Sequence, residues 1–314
     1  LDHYLGQTLK RAQLLRVEAF RRSASASHHW QLGLLLTPYL IGLLVLTLAP
    51  MLMTIALSFA DYDIFSPPVW NDFANFKHFF VDKRFLLSLS NSLWFVLGAV
   101  SLRLSGALLL ALLLNHPTRL HEFTRAIIYL PLLMPEVAYA FVWQLLLNPS
   151  YGPINLVLGA LGVSPQPWLQ IEWSARLTLI VMFAFELGEG FVLLLAARQT
   201  ISPEVVEAAA LDGGSRWDHF WHIYLPLLTP ALLLLACRDT ALSFQNAFVA
   251  GMITTETGPY YATYFLSHYL FNEAFGLFKY GYGAALTVCI YVVTTLLIGL
   301  QFLVLRDGGR PDEI

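Results

Sequence analysis

Six ionisable side chains interrupt the most apolar parts of this 314-residue chain: Arg103, Glu136, Glu186, Glu189, Arg238 and Asp239. An ionised group in hydrocarbon costs roughly 2.5–3.5 kcal/mol on insertion scales, so each needs a partner or a use. Carboxylates can accept hydrogen bonds from hydroxyl groups, carry protons or neutralise a buried guanidinium. Spacing sorts the candidates. Asp239, Ser243 and Asn246 stand at i, i+4 and i+7 and form one polar stripe, while Glu136 shares a helix face with Tyr139 and Trp143, and Glu186 with Glu189. Carboxylates beside aromatic rings suit a hydroxyl-rich solute, so Glu136, Tyr139, Glu186, Glu189, Asp239, Ser243 and Asn246 are read as a substrate pathway. The alternative is mutual pairing, in which Arg103 and Arg238 take two of the carboxylates and join helices.

Catalytic apparatus is absent from the sequence. It has no GxxxxGK[ST] phosphate loop and no GxSxG, and His121-Glu122 lacks the second histidine of a zinc-protease helix. The chain is therefore read as a non-enzyme, with no catalytic or metal-binding residues. Cys237 and Cys289 lack metal-site or disulfide spacing and are read as packing residues. A net charge of −3 offers no basic field for nucleic acid.

The elements that must position these side chains are membrane helices. Hydrophobic residues make up 57% of the chain and charged ones 12%, with a mean hydropathy of +0.61, too apolar for a soluble domain. Apolar stretches long enough to cross a bilayer lie near 32–59, 86–114, 123–147, 174–198, 222–247 and 282–304. The fold class expected is all-α, a polytopic membrane protein of six spans. The connecting segments on one side carry 11 Lys and Arg and those on the other 4, which puts both termini in the cytoplasm. The first span is too long for a signal-peptide core and has no small-residue cleavage pattern behind it, so it is read as retained. Residues 1–31 intersperse Leu5, Leu9, Leu14, Leu15 and Phe20 with cations; they form either an amphipathic helix on anionic membrane lipid or a solvated tail. Residues 32–306 then form the transmembrane domain and 307–314 a cytoplasmic tail. The outward segments 60–85, 148–173 and 251–281 are rich in aromatic residues, and Ile154 to Leu161 is too short to cross.

Between the fourth and fifth spans the chain turns polar: EAAALDGGSRWDHFWHIYLP, Glu207 to Pro226. Ser202 is a plausible N-cap, Pro203 suits the first helical position, and Glu204 complements the positive helix start. Gly213-Gly214 permits the positive φ that ends a helix, and Ser215 can cap a second short helix that leads into the fifth span. Ala208, Leu211 and Asp212 share a face narrow enough for another backbone to approach. Physically this is either a docking helix or an ordinary cytoplasmic hairpin.

Glu207-Ala208-Ala209, three residues, Gly213, nine residues, Ile223, one residue and Leu225-Pro226 resemble at every fixed position the EAA signature of permease subunits of bacterial ATP-binding-cassette importers. "NSLWFVLGAV", "RAIIYLPLLMPEVAYAFVWQLL" and "GPINLVLGALG" are similar to maltose-type and glycerol-phosphate-type sugar permeases, so the resemblance covers about residues 30–306. It implies the type I importer fold in a bacterial cytoplasmic membrane. The loop 199–226 would seat in a separate ATPase through Glu207, Ala208, Ala209, Leu211, Asp212 and Gly213. The implied partners are a second permease subunit, two ATPase subunits that bind ATP and magnesium, and an extracytoplasmic solute-binding protein, with no cofactor in this chain. Counted from these landmarks, Glu136, Glu186, Asp239 and Ser243 fall on substrate-facing positions. The chain is more acidic there than the family pattern, which admits an amino sugar, a polyol or another cationic or hydroxyl-rich solute. A stand-alone secondary transporter using intramembrane carboxylates is the alternative reading.

Overall fold

The computed structural model describes residues 33–115, 118–211 and 213–308. Residues 1–32, where the amphipathic segment is expected, and Asp212 of the docking face lie outside it, as do residues 309–314 of the tail. The chain divides into two units at Ala56/Leu57. Among its described residues the first holds one apolar helix, α1 (Gly33–Leu57), which carries a π turn at Leu44–Leu48 and ends just past the division.

The second unit opens with a two-stranded antiparallel ribbon, β1 (Ala60–Asp61) and β2 (Val69–Trp70), paired Ala60 to Trp70. A short helix α2 (Ala74–Phe79) follows, and then α3 (Lys83–Leu113), whose 31 residues make it about 46 Å long. The Asp82 side chain caps α3 by accepting from the Arg84 N–H at 2.8 Å. Its buried stripe, Ser88, Ser92, Phe95, Ala99, Arg103, Ala107 and Ala111, repeats at three or four residues and is mostly small, so neighbouring helices approach closely. The next helices are α4 (Arg119–Tyr129), α5 (Glu136–Leu146), the short α6 (Pro153–Ala160), α7 (Glu172–Phe185), α8 (Gly188–Gln199) and α9 (Pro203–Leu211). The chain ends with α10 (Trp217–Thr254), α11 (Leu266–Phe271) and α12 (Tyr280–Gly308). α3 packs on α7, α8 and α10, and α10 packs also on α5 and α12. Phe95, Ala99, Leu179, Met182, Phe183 and Phe244 form the core where α3, α7 and α10 meet.

Among the described residues, four helices are long and apolar enough to cross a membrane singly, and the two bent pairs bring the number to six if each is one span. The expected third span, 123–147, is not one rod. α4 and α5 meet at 108°, because Pro131 and Pro135 remove backbone donors and Met134, which precedes a proline, is extended at ψ 137°. The expected fourth span, 174–198, bends by 47° between α7 and α8 at Glu186, whose ψ is 41°. The two breaks touch. A Cβ on Gly188 would stand 2.8 Å from the Ile128 carbonyl oxygen, so only glycine lets α8 begin against the end of α4. The second short helix expected before the fifth span is continuous with it. A π turn at Phe220–Tyr224 carries the chain past Pro226, widening the helix where the proline ring would otherwise clash.

Candidate functional site

Glu136 is the first residue of α5, immediately after the break at Pro135, and Glu186 occupies the break between α7 and α8. Tyr139, one turn into α5, is buried and donates its hydroxyl hydrogen to the Met182 carbonyl at 2.7 Å, which fixes α5 to α7. Tyr139 also meets the edge of Trp143, and Trp143 that of Phe185. From α10, Asn246 completes the lining of a narrow cleft shared with Glu136, Tyr139, Phe183 and Glu186. Its volume is about 30 Å³. That is the volume of one water, where small-ligand pockets have at least about 300 Å³. The cleft is a seam between helices in this conformation.

The rest of the expected pathway lies elsewhere. Arg103 on α3 and Asp239 on α10 are both buried, with Nε and Oδ2 3.5 Å apart, and the Arg103 guanidinium sits 4.9 Å over the Phe183 ring. Arg238 reaches the other Asp239 oxygen at 3.4 Å and bonds directly to Glu189 on α8. Ser243 is buried and gives its hydroxyl hydrogen to the Asp239 carbonyl. Asp239 and Glu189 therefore belong to an ion network that joins three helices, the Ser243 hydroxyl is spent on the backbone of its own helix, and Asn246 of the same stripe faces the seam. The Glu186 N–H donates to the Phe183 carbonyl at 3.3 Å, but the side chains of Glu136 and Glu186 make no salt bridge or hydrogen bond among the described residues.

α9 is presented to the surroundings. Glu207 and Ala208 are exposed, Ala209 is half-buried, and Leu211 is 88% exposed, an unusual state for a leucine unless another surface covers it. Gly213 holds φ at +81°, as expected for the turn. Ser202 caps α9 through the Glu204 N–H at 3.3 Å, and Ser215 caps α10 through the Asp218 N–H at 3.2 Å. The Arg198 guanidinium lies 4.2 Å over the Tyr224 ring and donates to its hydroxyl, tying the end of α8 to the π turn. The π turn is thus joined to α8, the helix that follows the break at Glu186.

Arg176, near the start of the expected fourth span, is not among the candidate pathway residues. Arg176 donates to the Ala262 carbonyl and to Asn91 Oδ1, both at 3.1 Å, and Asn91 donates to the carbonyls of Tyr261 and Tyr264. Together they fasten the loop after α10 to α3 and α7. An asparagine and an arginine near the ends of apolar runs were the available signal.

Residues 104–307 match the family described as binding-protein-dependent transport system inner membrane component. Over 271 residues the chain is 34% identical to the probable ABC transporter permease protein YesP of Bacillus subtilis (strain 168), covering 85% of this chain and 87% of that protein. It is 30% identical over 277 residues to the trehalose/maltose transport system permease protein MalF of Thermococcus litoralis, covering 88% and 92%. Its fold is shared with a solved bacterial ABC transporter involved in the import of the acidic polysaccharide alginate, at a TM-score of 0.77 and 23% identity over 91% of this chain and 99% of that one. The bent helix pairs, the exposed turn helix and these matches agree: the chain belongs to the binding-protein-dependent transport system inner membrane components and is a multi-pass permease subunit.

Proposed function

We propose that this chain is one of two permease subunits of an ATP-driven importer for a carbohydrate or related hydroxyl-rich solute. ATP and magnesium are bound by separate ATPase subunits, and this chain carries no cofactor. Both termini face the cytoplasm, on the side of the turn between α9 and α10. The observation that carries the reading is α9 itself, nine residues whose outer face ends in an exposed leucine before a glycine turn at positive φ. ATPase closure would push on α9, and the push would travel through Arg198 and Tyr224 into α8 and so to the break at Glu186. The seam between Glu136, Tyr139, Glu186 and Asn246 would then widen from about 30 Å³ to hold a solute and reopen on the other side.

The carbohydrate class is supported by the names of relatives that handle trehalose and maltose, sn-glycerol 3-phosphate or alginate. Two carboxylates at the seam that make no salt bridge among the described residues favour a neutral or amino-bearing solute over an anionic one. An extracytoplasmic binding protein would dock on the segments 60–85, 148–173 and 251–281. The test is to purify the complex with its binding protein, identify the bound solute by mass spectrometry, and measure uptake into vesicles. Uptake that needs ATP and the co-purifying ATPase is expected. Uptake that persists without the ATPase and collapses with an uncoupler alone would instead establish a secondary transporter.

A further inference from the structure

We propose a second solute site, at the end of α10 remote from the coupling turn, that receives a neutral polyhydroxylated ring separately from the seam at Glu136 and Glu186. This rests on the importer reading. A cavity of about 540 Å³ opens there, lined among others by Arg84, Glu256, Tyr261, Phe271 and Asn272. Its size falls within the range of small-ligand pockets, where the seam does not. On α10 it is walled by Phe248 and Met252, whereas Asn246 and Ala250 line the seam. At 100° per residue these pairs point to different sides of the helix.

The lining selects the chemistry. Arg84 can only donate hydrogen bonds and Glu256 can only accept them, and neither makes an ion pair among the described residues. A simple anion would satisfy the first and meet repulsion from the second, and a simple cation the reverse. A hydroxyl both donates and accepts, so a ring bearing several hydroxyls can engage the two together. The exposed faces of Tyr261 and Phe271 suit the apolar side of such a ring.

The wall is built in advance. Thr255 and Thr263 hydroxyls meet at 2.6 Å, Asn91 holds the Tyr261 carbonyl at 2.8 Å, and Arg176 holds that of Ala262 at 3.1 Å. Within these ties Glu256, Thr257, Tyr260 and Tyr261 all take positive φ, Thr257 at 68° despite its branched Cβ. Left-handed backbone at non-glycine residues is costly and persists where surrounding contacts impose it, commonly at binding sites.

The test uses the intact importer complex in vesicles with its binding protein, either loaded with its natural solute or emptied by unfolding and refolding. In Arg84→Gln and Glu256→Gln, the concentration of loaded binding protein giving half-maximal ATP hydrolysis should rise about tenfold, the order for one hydrogen bond to a charged group. The corresponding concentration of emptied protein should rise far less, because any contact of the segments 60–85 and 251–281 with the binding protein is common to both forms. An equal rise for both forms would mean that these residues touch the binding protein itself, and no rise would mean that the cavity is idle; either overturns the proposal. Hydroxyl-radical footprinting of the wild-type complex gives an independent reading: Tyr261 and Phe271 should be more strongly protected by loaded than by emptied protein, and equal protection refutes the site. Failure of the wild-type complex to couple ATP to uptake would count against the importer reading instead.

Discussion

Arg103 and Asp239 face each other across α3 and α10 with Nε and Oδ2 3.5 Å apart, at 3% and 1% side-chain exposure. The charge on Asp239 thus neutralises a cation in the core and does not line an open route. Asp239→Asn should leave Arg103 unpaired at a cost of about 3–5 kcal/mol, and Arg103→Met should strand the carboxylate similarly. Both variants should lose the assembled complex in detergent, measured by fluorescence-detected size exclusion. The double variant Arg103→Met, Asp239→Leu should recover much of it, since buried pairs are often replaceable by apolar residues. A stable Asp239→Asn complex would show the pair to be dispensable.

Glu136 and Glu186 present the opposite case. Since neither side chain makes a salt bridge among the described residues, Glu136→Gln and Glu186→Gln should change stability by less than about 1 kcal/mol. Solute uptake should fall strongly while ATP hydrolysis stimulated by the binding protein remains. Wild-type uptake in the double variant would remove both residues from the pathway.

The difference between these two predictions marks what the sequence could convey. Continuous apolar runs made α3 and α12 legible to within a few residues, because length and hydropathy alone define a membrane helix. The 108° break was hidden because Leu130, Leu132, Leu133 and Met134 keep the composition apolar straight through it. Hydropathy does not register dihedral angles, and only Pro131 and Pro135 signalled the bend. The turn around Gly213 was legible from capping residues, which act locally. Which carboxylate meets which arginine depends on neighbouring helices, so a stripe at i, i+4 and i+7 could not reveal that Asp239 faces Arg103 while Asn246 faces the seam.

His268 on α11 supplies a pH dependence. Burial pushes its imidazole down to about 4, against the favourable hydrogen bond of Nε2 with the Phe248 carbonyl at 2.9 Å. The folded state therefore holds it neutral, while the unfolded chain protonates it near 6.5. Its contribution to stability is complete above about pH 6.5 and is lost as pH falls towards 4, amounting to about 2 kcal/mol at pH 5. Asp82 titrates lower. Burial raises its pKa, but hydrogen bonds from the Tyr269 hydroxyl and Arg84 N–H outweigh this and hold it below its ordinary 3.8. Thermal unfolding between pH 7 and 4.5 should show a slope that His268→Gln removes. The same slope in the variant would assign the effect to other groups.

The glycine turn ties the coupling reading to one backbone angle. Gly213 sits at φ +81° with nothing within 4 Å of where a Cβ would be, so a larger side chain meets no steric obstacle there and acts only through the backbone. Gly213→Val should strain the turn by about 1–3 kcal/mol and reorient α9, leaving the membrane helices intact. Gly213→Asn should be much milder, because asparagine tolerates left-handed φ. Recovery of the ATPase subunit on purification, and uptake per ATP hydrolysed, should fall for valine and be largely kept for asparagine. Leu211→Asp should reproduce the valine defect by a different route, placing a charge on the exposed face of α9 without altering the turn. Full ATPase recovery and transport in both Gly213→Val and Leu211→Asp would detach α9 from the ATPase and leave Leu211 exposed for some other reason.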